Sequence, residues 1–322
     1  MRGALVTGGA GFIGSHVVAA LRAAGRRVVV LDDFSTGRRE NLAEWAGDPA
    51  VEIVEGDVRG ELGGLARRGP FDAVIHLAAQ TSVVRSVAAP IDDLDTNLRA
   101  TARLALWAAE AGVKALVFAS SAAVYGEPAR VPIDEDAPTR PLSPYGAAKR
   151  AAELYLGCLG PLRGLGVACL RLFNVYGPRQ DPASPYAGVV AAFLARALAG
   201  APLTVFGDGA QTRDLVYVGD AARALVRAAD MSLGAGTEEQ VVCNVGTGRE
   251  VSVAALAAAA QAAARACGAS PGAIEHAPAR AGEIARSAAD TRRAAARLGF
   301  TAEVELAEGL RRTASWLKGQ VR

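Results

Sequence analysis

The sequence predicts an α/β fold: a doubly wound parallel sheet followed by a smaller, mixed C-terminal lobe. Three observations predict it. Short apolar runs alternate with helical segments through the first half of the chain, a glycine-rich turn follows the first apolar run, and the alternation loosens after about residue 174. Strand–helix alternation at this spacing is typical of a parallel sheet with helices on both faces.

The predicted strands are nearly continuous apolar runs, as strands buried on both faces are. They lie at residues 4–7, 27–31, 51–55, 73–77, 115–119 and 167–172, with helices between them at 15–24, 94–111 and 145–159. Later helices are predicted at 189–199, 221–229, 252–267 and 291–298. We therefore expect one domain over residues 1–174 and a second lobe over residues 175–322, with a segment near 214–245 returning to the first domain.

Composition excludes several classes of partner. The chain has 322 residues, of which 35 are basic and 33 acidic, and this balance gives no electrostatic case for nucleic acid or a membrane surface. The four cysteines (Cys158, Cys169, Cys243 and Cys267) lack metal-ligand spacing, so we expect buried reduced thiols and no metal site. With no signal peptide and no apolar run long enough to cross a bilayer, we expect a cytoplasmic protein.

The glycine-rich segment has the spacing of a dinucleotide-binding turn. Gly9, Gly11 and Gly14 form G-x-G-x-x-G between a predicted strand and a predicted helix. Glycines there allow a tight turn and close approach of a pyrophosphate, while the helix N-terminus offers free N–H groups. Asp32 ends the second strand, where a carboxylate can hold both ribose hydroxyls and would repel a 2′-phosphate. The motif predicts a Rossmann-type domain that binds NAD rather than NADP.

Tyr145 and Lys149 are spaced to lie on one face of a helix that begins just after Pro144. A tyrosine ordinarily titrates near about pH 10, but a neighbouring ammonium and a positively charged nicotinamide favour the phenolate. Such a pair could remove a proton from a sugar hydroxyl while hydride leaves the same carbon. Ser120 and Ser121 follow the fifth predicted strand, at the sheet edge where ligands bind, so a hydroxyl there could relay the proton.

Together these segments resemble the extended short-chain dehydrogenase/reductases of the NAD-dependent epimerase/dehydratase group. The resemblance is carried by TGGAGFIGSH, SSAAVYG, SPYGAAK, RLFNVYGPRQ, VFGDGAQTRD, NVGTG and RAGEIARSAAD. It implies that Tyr145, Lys149 and Ser121 are catalytic. It also implies a NAD site formed by Gly8, Gly11, Phe12, Ile13, Gly14, Asp32, Asp33, Ser35, Thr36, Gly37, Asp57, Val58, Leu77, Ala78, Ala79, Gln80, Asn97, Ser120, Tyr145, Lys149 and Phe173.

The same resemblance implies that the second lobe binds a nucleoside diphosphate sugar. Arg213 and Arg280 would neutralise the diphosphate. Phe206 would lie against the base, and Glu283 would hold the nucleoside ribose. The full substrate set that it implies is Thr81, Ser121, Tyr145, Asn174, Arg179, Gly188, Val189, Thr204, Phe206, Arg213, Arg280, Glu283 and Ser287.

The two positions after Ser121 bear on the reaction. Related 4,6-dehydratases carry Asp-Glu there and related decarboxylases a Glu, whereas this chain has Ala122 and Ala123. Without an acid–base pair for elimination, the resemblance implies hydride removal at C4, rotation of the 4-keto sugar and hydride return to its other face. We therefore expect a NAD-dependent UDP-sugar 4-epimerase.

The identity of the sugar stays open at this point. Ser287 falls where galactose-type epimerases can carry a tyrosine, so the pocket could admit a larger sugar. Arg179 could meet a C6 carboxylate, which adds UDP-glucuronate and UDP-galacturonate to UDP-glucose and UDP-galactose. The alternatives are a UDP-N-acetylglucosamine 4-epimerase, a nucleotide-sugar dehydratase or decarboxylase, and a non-catalytic NAD-binding regulatory protein. The resemblance also implies a homodimer formed by the helices at 94–111 and 145–159.

Overall fold

A parallel sheet of seven strands forms the centre of the computed structural model, which describes residues 3–182, 188–234, 240–279 and 282–320. The strands in chain order are β1 (Gly3–Thr7), β2 (Arg27–Asp32), β3 (Val51–Glu55), β4 (Ala73–His76), β5 (Ala115–Ser121), β6 (Gly166–Leu172), β7 (Asn174–Tyr176), β8 (Leu203–Phe206), β9 (Thr212–Arg213), β10 (Leu215–Tyr217), β11 (Val241–Val245), β12 (Val251–Ser252) and β13 (Ile274–Ala277). The central sheet has the order β11-β6-β5-β4-β1-β2-β3. The order reverses between β1 and β4, and this reversal opens a crevice at the carboxyl ends of the strands.

Helices cover both faces of this sheet. The helices are α1 (Phe12–Ala23), α2 (Val83–Ala88), α3 (Pro90–Leu94), α4 (Ala100–Glu110), α5 (Pro144–Arg163), α6 (Val189–Leu198), α7 (Val218–Gly234), α8 (Val253–Ala266), α9 (Arg292–Leu298) and α10 (Leu306–Gln320). One face is buried under α1, α7 and α9, and the other under α4 and α5. This arrangement is the doubly wound fold that the sequence predicts.

The second lobe has a core of its own, formed by α6, α8 and α10 with β8 and β10. It also contains three two-stranded pairs: β7 with β10, β8 with β13, and β9 with β12. The chain passes between the two parts more than once, because β6 runs on into β7 while α7 and β11 return to the central sheet. Residues 292–300 also pack on the central sheet, so the returning part extends beyond residue 245.

Several local predictions differ from the structure. The helix predicted over 94–111 is interrupted, since Asp95–Arg99 form a π-helical turn between α3 and α4. Helix α10 was not predicted, although its buried positions Leu310, Ala314 and Leu317 follow a helical period. Cys158 is exposed and Cys267 is half-buried, whereas all four thiols were expected to be buried. None of the helices within the described ranges has the length and hydropathy needed to cross a bilayer.

Candidate active site

The glycine-rich turn between β1 and α1 is closely packed. Gly8 has φ +69°, and a Cβ there would lie 2.6 Å from the backbone nitrogen of Ala78. A Cβ on Gly14 would lie 2.0 Å from the carbonyl oxygen of Gly8. Both positions therefore require glycine: Gly8 for its backbone conformation and Gly14 for the close approach of α1 to the turn.

The N-terminus of α1 has the features of an anion site. Its N-cap residue Gly11 provides no side chain to accept from the first N–H groups, and the first turn contains no acid. A Cβ on Gly11 would meet only the Gly8 carbonyl oxygen, at 3.1 Å, so the space over the turn is open. Uncapped donors of Phe12 and Ile13 at the positive end of the helix dipole suit a pyrophosphate. The residues present therefore fit a dinucleotide.

Asp32 is fixed at the end of β2. Its Oδ2 accepts a hydrogen bond from the Ala10 N–H at 2.8 Å, and its Oδ1 accepts one from the Phe34 N–H at 2.9 Å. Burial raises the pKa of Asp32, and these two hydrogen bonds lower it in part. The carboxylate thus joins the turn before α1 to the loop after β2, on the sheet edge where a ribose is expected.

Ser121 and Tyr145 meet at the same edge of the sheet, on the other side of the crevice. Ser121 is the last residue of β5, and α5 begins at Pro144 after Ser143, whose hydroxyl accepts a hydrogen bond from the Gly146 N–H at 3.2 Å. Burial raises the pKa of Tyr145, whereas its hydrogen bond with Ser121 lowers it. The predicted base and the predicted catalytic hydroxyl are therefore in contact.

Lys149 lies one turn further along α5 and is 3% exposed. Its Nζ donates to the Ala119 carbonyl oxygen at 2.9 Å, and lies 4.6 Å from the ring centroid of Phe118 and 5.9 Å from that of Tyr145. Burial lowers the pKa of Lys149 to about 8, against nearby negative charge that raises it. The side chain is therefore mainly an ammonium at neutral pH, beside the tyrosine as the sequence predicts.

Ser120 does not direct its hydroxyl into the crevice. The hydroxyl donates to Glu153 Oε1 at 2.6 Å. Glu153 is fully buried and accepts two hydrogen bonds from Arg171, at 2.9 and 2.8 Å. Because its hydroxyl is engaged by Glu153, Ser120 has only its backbone left for the predicted contact with the cofactor. Sequence reasoning missed this ion pair, because Glu153 and Arg171 look like ordinary surface charges when they are read singly.

A network of buried amides and one acid lies next to Lys149. The Gln80 backbone N–H donates to Asn97 Oδ1 at 3.0 Å, and Asn97 Nδ2 donates to the Gln80 carbonyl oxygen at 2.8 Å. Both also donate to Asp93 Oδ1, at 2.8 and 3.0 Å. Gln80 and Asn97 were predicted as cofactor residues, whereas Asp93 was missed, since nothing in the IDDLD segment distinguishes it from its acidic neighbours.

In the second lobe the structure brings Arg213 and Glu283 together. Arg213 donates to Glu283 Oε1 at 2.9 Å and to the Ile284 carbonyl oxygen at 2.8 Å, and burial lowers its pKa. Ser287 is 8% exposed, and its backbone N–H donates to the Thr212 hydroxyl at 3.4 Å. A partly buried arginine with a single carboxylate partner suits a diphosphate. Arg280 lies outside the described residues.

Arg179, which was predicted to meet the sugar, has an acidic partner in the structure. Its guanidinium forms an ion pair with Glu44 at 2.5 Å. Next to it, His16 on α1 contacts the carbonyl oxygen of Pro178 at 3.0 Å. These partners lie on the face of the sheet that α1 covers, whereas Tyr145 belongs to α5 on the other face. That Arg179 meets a C6 carboxylate stays a prediction, and the ion pair with Glu44 does not support it.

The other predicted residues differ in their side-chain contacts and in their exposure to solvent. Near the dinucleotide crevice, Asp33 accepts from the Ser35 N–H at 2.9 Å, and Asp57 forms an ion pair with Arg59 at 2.7 Å. Val58 and Phe173 are buried, whereas Thr81 and Asn174 are exposed. For the remaining predicted residues the roles stay predictions: Thr36, Gly37, Leu77, Ala78, Ala79, Gly188, Val189, Thr204 and Phe206.

Comparisons with known proteins agree on one family. The sequence model of the "NAD dependent epimerase/dehydratase family" matches residues 4–246. A UDP-glucose 4-epimerase of Mycolicibacterium smegmatis is 44% identical over 318 residues, which cover 98% of each chain.

Two solved structures are similar over almost the whole chain. A UDP-glucose 4-epimerase of Thermotoga maritima with UDP-glucose has a TM-score of 0.89 at 37% identity and covers 100% of both chains. A UDP-N-acetylglucosamine 4-epimerase of Methanobrevibacter ruminantium in complex with UDP-N-acetylmuramic acid has a TM-score of 0.90 at 34% identity, over 99% of both chains. Matches of this extent include both the catalytic edge and the second lobe.

Proposed function

Because the chain belongs to the NAD dependent epimerase/dehydratase family, we propose that it is a NAD-dependent UDP-sugar 4-epimerase that interconverts UDP-glucose and UDP-galactose. The observation that carries the proposal is the contact between Ser121 and Tyr145, with Lys149 beside them, at the edge of the sheet that also carries the glycine-rich turn. The Mycolicibacterium relative and the Thermotoga structure, both named UDP-glucose 4-epimerases, support it.

The chain's own residues can move a proton at the sugar C4 hydroxyl. Tyr145 accepts that proton as a phenolate, and Ser121 donates a hydrogen bond that stabilises the phenolate. Lys149 is an ammonium next to the phenol and favours its ionised form. When NAD is bound, it supplies the hydride acceptor for C4, the hydride donor for the return step, and a positive charge near the phenol.

The residues that would hold NAD are on both sides of the crevice. Uncapped N–H groups of Phe12 and Ile13 would hold the pyrophosphate, and Asp32 would hold the adenosine ribose. Lys149 retains N–H groups beyond the one it donates to Ala119, and these suit the hydroxyls of the nicotinamide ribose.

The turn after β5 carries no acid–base pair that could eliminate water from the sugar. Residues Ala122–Val124 form a short 3-10 turn at the site, so Ala122 and Ala123 stand where an acid–base pair would be needed. A 4-keto sugar held there can be rotated and reduced, but no side chain from this turn can protonate a leaving hydroxyl. This favours epimerisation over dehydration.

A second sugar is favoured by one observation. Ser287 is small, and a serine where galactose-type epimerases can carry a tyrosine would leave room for a substituent larger than a hydroxyl. UDP-N-acetylglucosamine is therefore the second candidate substrate, and the similarity to a UDP-N-acetylglucosamine 4-epimerase agrees with it.

The test is parallel incubation of the purified protein with UDP-glucose and with UDP-N-acetylglucosamine, followed by proton NMR of the anomeric and H4 signals. We expect the galacto product to appear without added NAD. Failure to invert C4 of either sugar, by a protein that retains NAD, would overturn the proposed function.

We further propose that two copies associate through an apolar face on α2, α3 and α5. Large hydrophobic side chains with more than half of their surface exposed include Val84, Ile91, Leu154, Tyr155 and Leu162, all on these three helices. Helices α2 and α3 both pack against α5, and exposed apolar side chains on neighbouring helices favour an interface. Sedimentation of a Leu154→Glu, Tyr155→Glu double variant should give a monomer, while the Ile53→Lys control at the far edge of the sheet should sediment as wild type does.

A further inference from the structure

Ala10 is the one non-glycine residue in Gly8–Gly11, and the segment after β2 holds both of its backbone polar groups. Its N–H donates to Asp32 Oδ2 at 2.8 Å. Its carbonyl oxygen accepts two hydrogen bonds, one from the Arg38 N–H at 3.0 Å and one from Nδ2 of Asn41 at 2.8 Å. The glycine-rich turn is therefore joined to a segment that follows it by more than twenty residues, since Asp32 is 22 residues and Asn41 31 residues further along the chain.

This segment also passes very close to the turn. A Cβ on Gly37 would lie 2.7 Å from Asp32 Oδ1 and 3.0 Å from the Cβ of Ala10, so the backbone at residue 37 fits between the two side chains. Asn41 follows in a 3-10 helix over Arg39–Trp45 and is half-buried, while Ala10 is fully buried. The Asn41 amide thus reaches back from this helix to the turn.

Glycine gives this turn much conformational freedom. Three of the four residues in Gly8–Gly11 are glycine, the residue that loses the most freedom when it becomes ordered. The Gly8 N–H donates to the Leu31 carbonyl oxygen at 2.8 Å, and the Gly11 N–H donates to the Gly8 carbonyl oxygen at 3.1 Å. Between these two points, the hydrogen bonds to Ala10 fix the backbone that leads into the first N–H groups of α1.

The three hydrogen bonds to Ala10 differ in what else their partners do. Arg38 donates through its backbone, so a change of its side chain leaves that bond in place. Asp32 is itself expected to bind the adenosine ribose. Asn41 belongs to neither the predicted NAD set nor the predicted substrate set, and its side chain donates the bond. A change at Asn41 therefore alters the hold on the turn without removing a predicted contact to NAD.

We propose that Asn41 is a positioning residue for NAD: through the Ala10 carbonyl oxygen, it holds the glycine-rich turn in the conformation that receives the pyrophosphate. The turn must loosen before NAD can leave, and this hydrogen bond resists the loosening, so it slows the release of NAD. Slow release suits an enzyme in which the same NAD accepts a hydride and returns it. The inference goes beyond the proposed function, because it rests on NAD binding and not on the sugar.

Asn41→Leu tests the hydrogen bond with a side chain of similar size and no charge. We expect bound NAD to exchange with excess isotopically labelled NAD at least about twofold and up to about tenfold faster than in wild type, as the loss of one ordinary hydrogen bond predicts. The rate is measured by mass spectrometry of NAD extracted from the purified holoenzyme at intervals. Because Asn41 is half-buried and Ala10 keeps its bond from Arg38, the thermal midpoint in saturating NAD should stay within about 3 °C of wild type.

Two further variants separate the hydrogen bond from other effects. The matched control is Ala43→Leu, which introduces the same side chain at an exposed position of the same 3-10 helix. It should exchange NAD at the wild-type rate. Asn41→Asp keeps the shape of the side chain and an oxygen acceptor, but it cannot donate to the Ala10 carbonyl oxygen. It should exchange NAD at least as fast as Asn41→Leu.

Four results would overturn the proposal. One is an exchange rate in Asn41→Leu less than about twofold above wild type, and another is an equal acceleration in Ala43→Leu. A third is a wild-type rate in Asn41→Asp, since Asn41 would then act through its oxygen. The fourth is a thermal midpoint of Asn41→Leu lowered by more than about 3 °C, which would make the role one of general stability. NAD exchange needs no turnover, so a wild type that does not epimerise UDP-sugars would contradict the proposed function while the exchange rates still decide the role of Asn41.

Discussion

Burial acts in opposite directions on the pKa values of Tyr145 and Lys149. It raises that of the phenol and lowers that of the ammonium to about 8, because in both cases it disfavours the charged form. Catalysis needs both side chains charged, so the site depends on groups that counteract burial. Ser121 does this for the phenolate through a hydrogen bond, and nearby negative charge, that of Asp93 first, does it for the ammonium.

Removing the phenol tests the residue at the centre of this arrangement. Tyr145→Phe should fold and bind UDP-glucose with little change, but lose about 10²–10⁴-fold in kcat, since general-base catalysis contributes that much. Ser121→Ala should lose less, because it removes a hydrogen bond and not the base. Initial rates by coupled assay and a binding isotherm for UDP measure the two effects, and a Tyr145→Phe rate within a few-fold of wild type would contradict the mechanism.

Asp32 offers a separate test of the dinucleotide site. Asp32→Asn keeps one acceptor for the Ala10 and Phe34 N–H groups but loses the charge that holds a ribose. A charged hydrogen bond contributes about 1.5–3 kcal/mol, so NAD affinity should fall about ten- to a hundredfold. The measurement is the NAD released from purified protein after gel filtration. Asp48→Asn, at the opposite end of the strands, is the control and should retain NAD as wild type does.

At the scale of elements, the approach of α1 to β1 depends on glycine at position 14. A Cβ there would overlap the Gly8 carbonyl oxygen, 2.0 Å away. Gly14→Ala should therefore displace the N-terminus of α1, lower the thermal midpoint by several degrees (about 1–3 kcal/mol) and abolish NAD retention. Gly319→Ala, in α10 with nothing within 4 Å of its Cβ, should be neutral or slightly stabilising. Equal melting curves for the two variants would refute the packing argument.

Some features of the strands and helices could be predicted from the sequence, and others could not. The turn before α1, Asp32 and the Tyr145–Lys149 pair were predictable because each depends on local spacing within one strand–helix junction. The buried contacts of Asp93 and the ion pair of Arg179 with Glu44 were not, since each depends on which other segment lies opposite the side chain. The π-helical turn at Asp95–Arg99 breaks a continuous helical pattern without any glycine or proline to mark it.

For the molecule as a whole, the buried pair of Glu153 and Arg171 links the catalytic strand to the last strand of the sheet. Arg171 also donates to the hydroxyl of Tyr125 at 2.9 Å, and that hydroxyl donates to Asn244 on β11 at 2.6 Å. Burial alone would raise the pKa of Glu153, but Arg171, Ser120 and Arg150 together lower it below its ordinary value. Stability from this carboxylate is therefore present above its unfolded pKa and is lost as the pH falls through its folded pKa.

Breaking the pair should be costly. Glu153→Gln leaves Arg171 buried without its counter-charge and should destabilise the protein by about 3–5 kcal/mol at pH 7. The difference from wild type should shrink as the pH falls through the ordinary range of a glutamate and towards the lowered pKa of native Glu153, because the carboxylate then takes up a proton. Denaturant unfolding at pH 7 and pH 4 measures both, with the exposed Glu303→Gln as control. A pH-independent loss would exclude the electrostatic explanation.

The repeated passage of the chain between the two lobes means that neither can be severed as an independent fragment. A piece that ends at residue 174 would lack α7, α9 and β11, which cover one face and one edge of the central sheet. Its exposed Val17, Val18 and Leu21 and the open edge of β6 would favour aggregation. Limited proteolysis should therefore give either intact protein or complete digestion, and engineering that exchanges the sugar-binding part must exchange loops rather than a contiguous half of the chain.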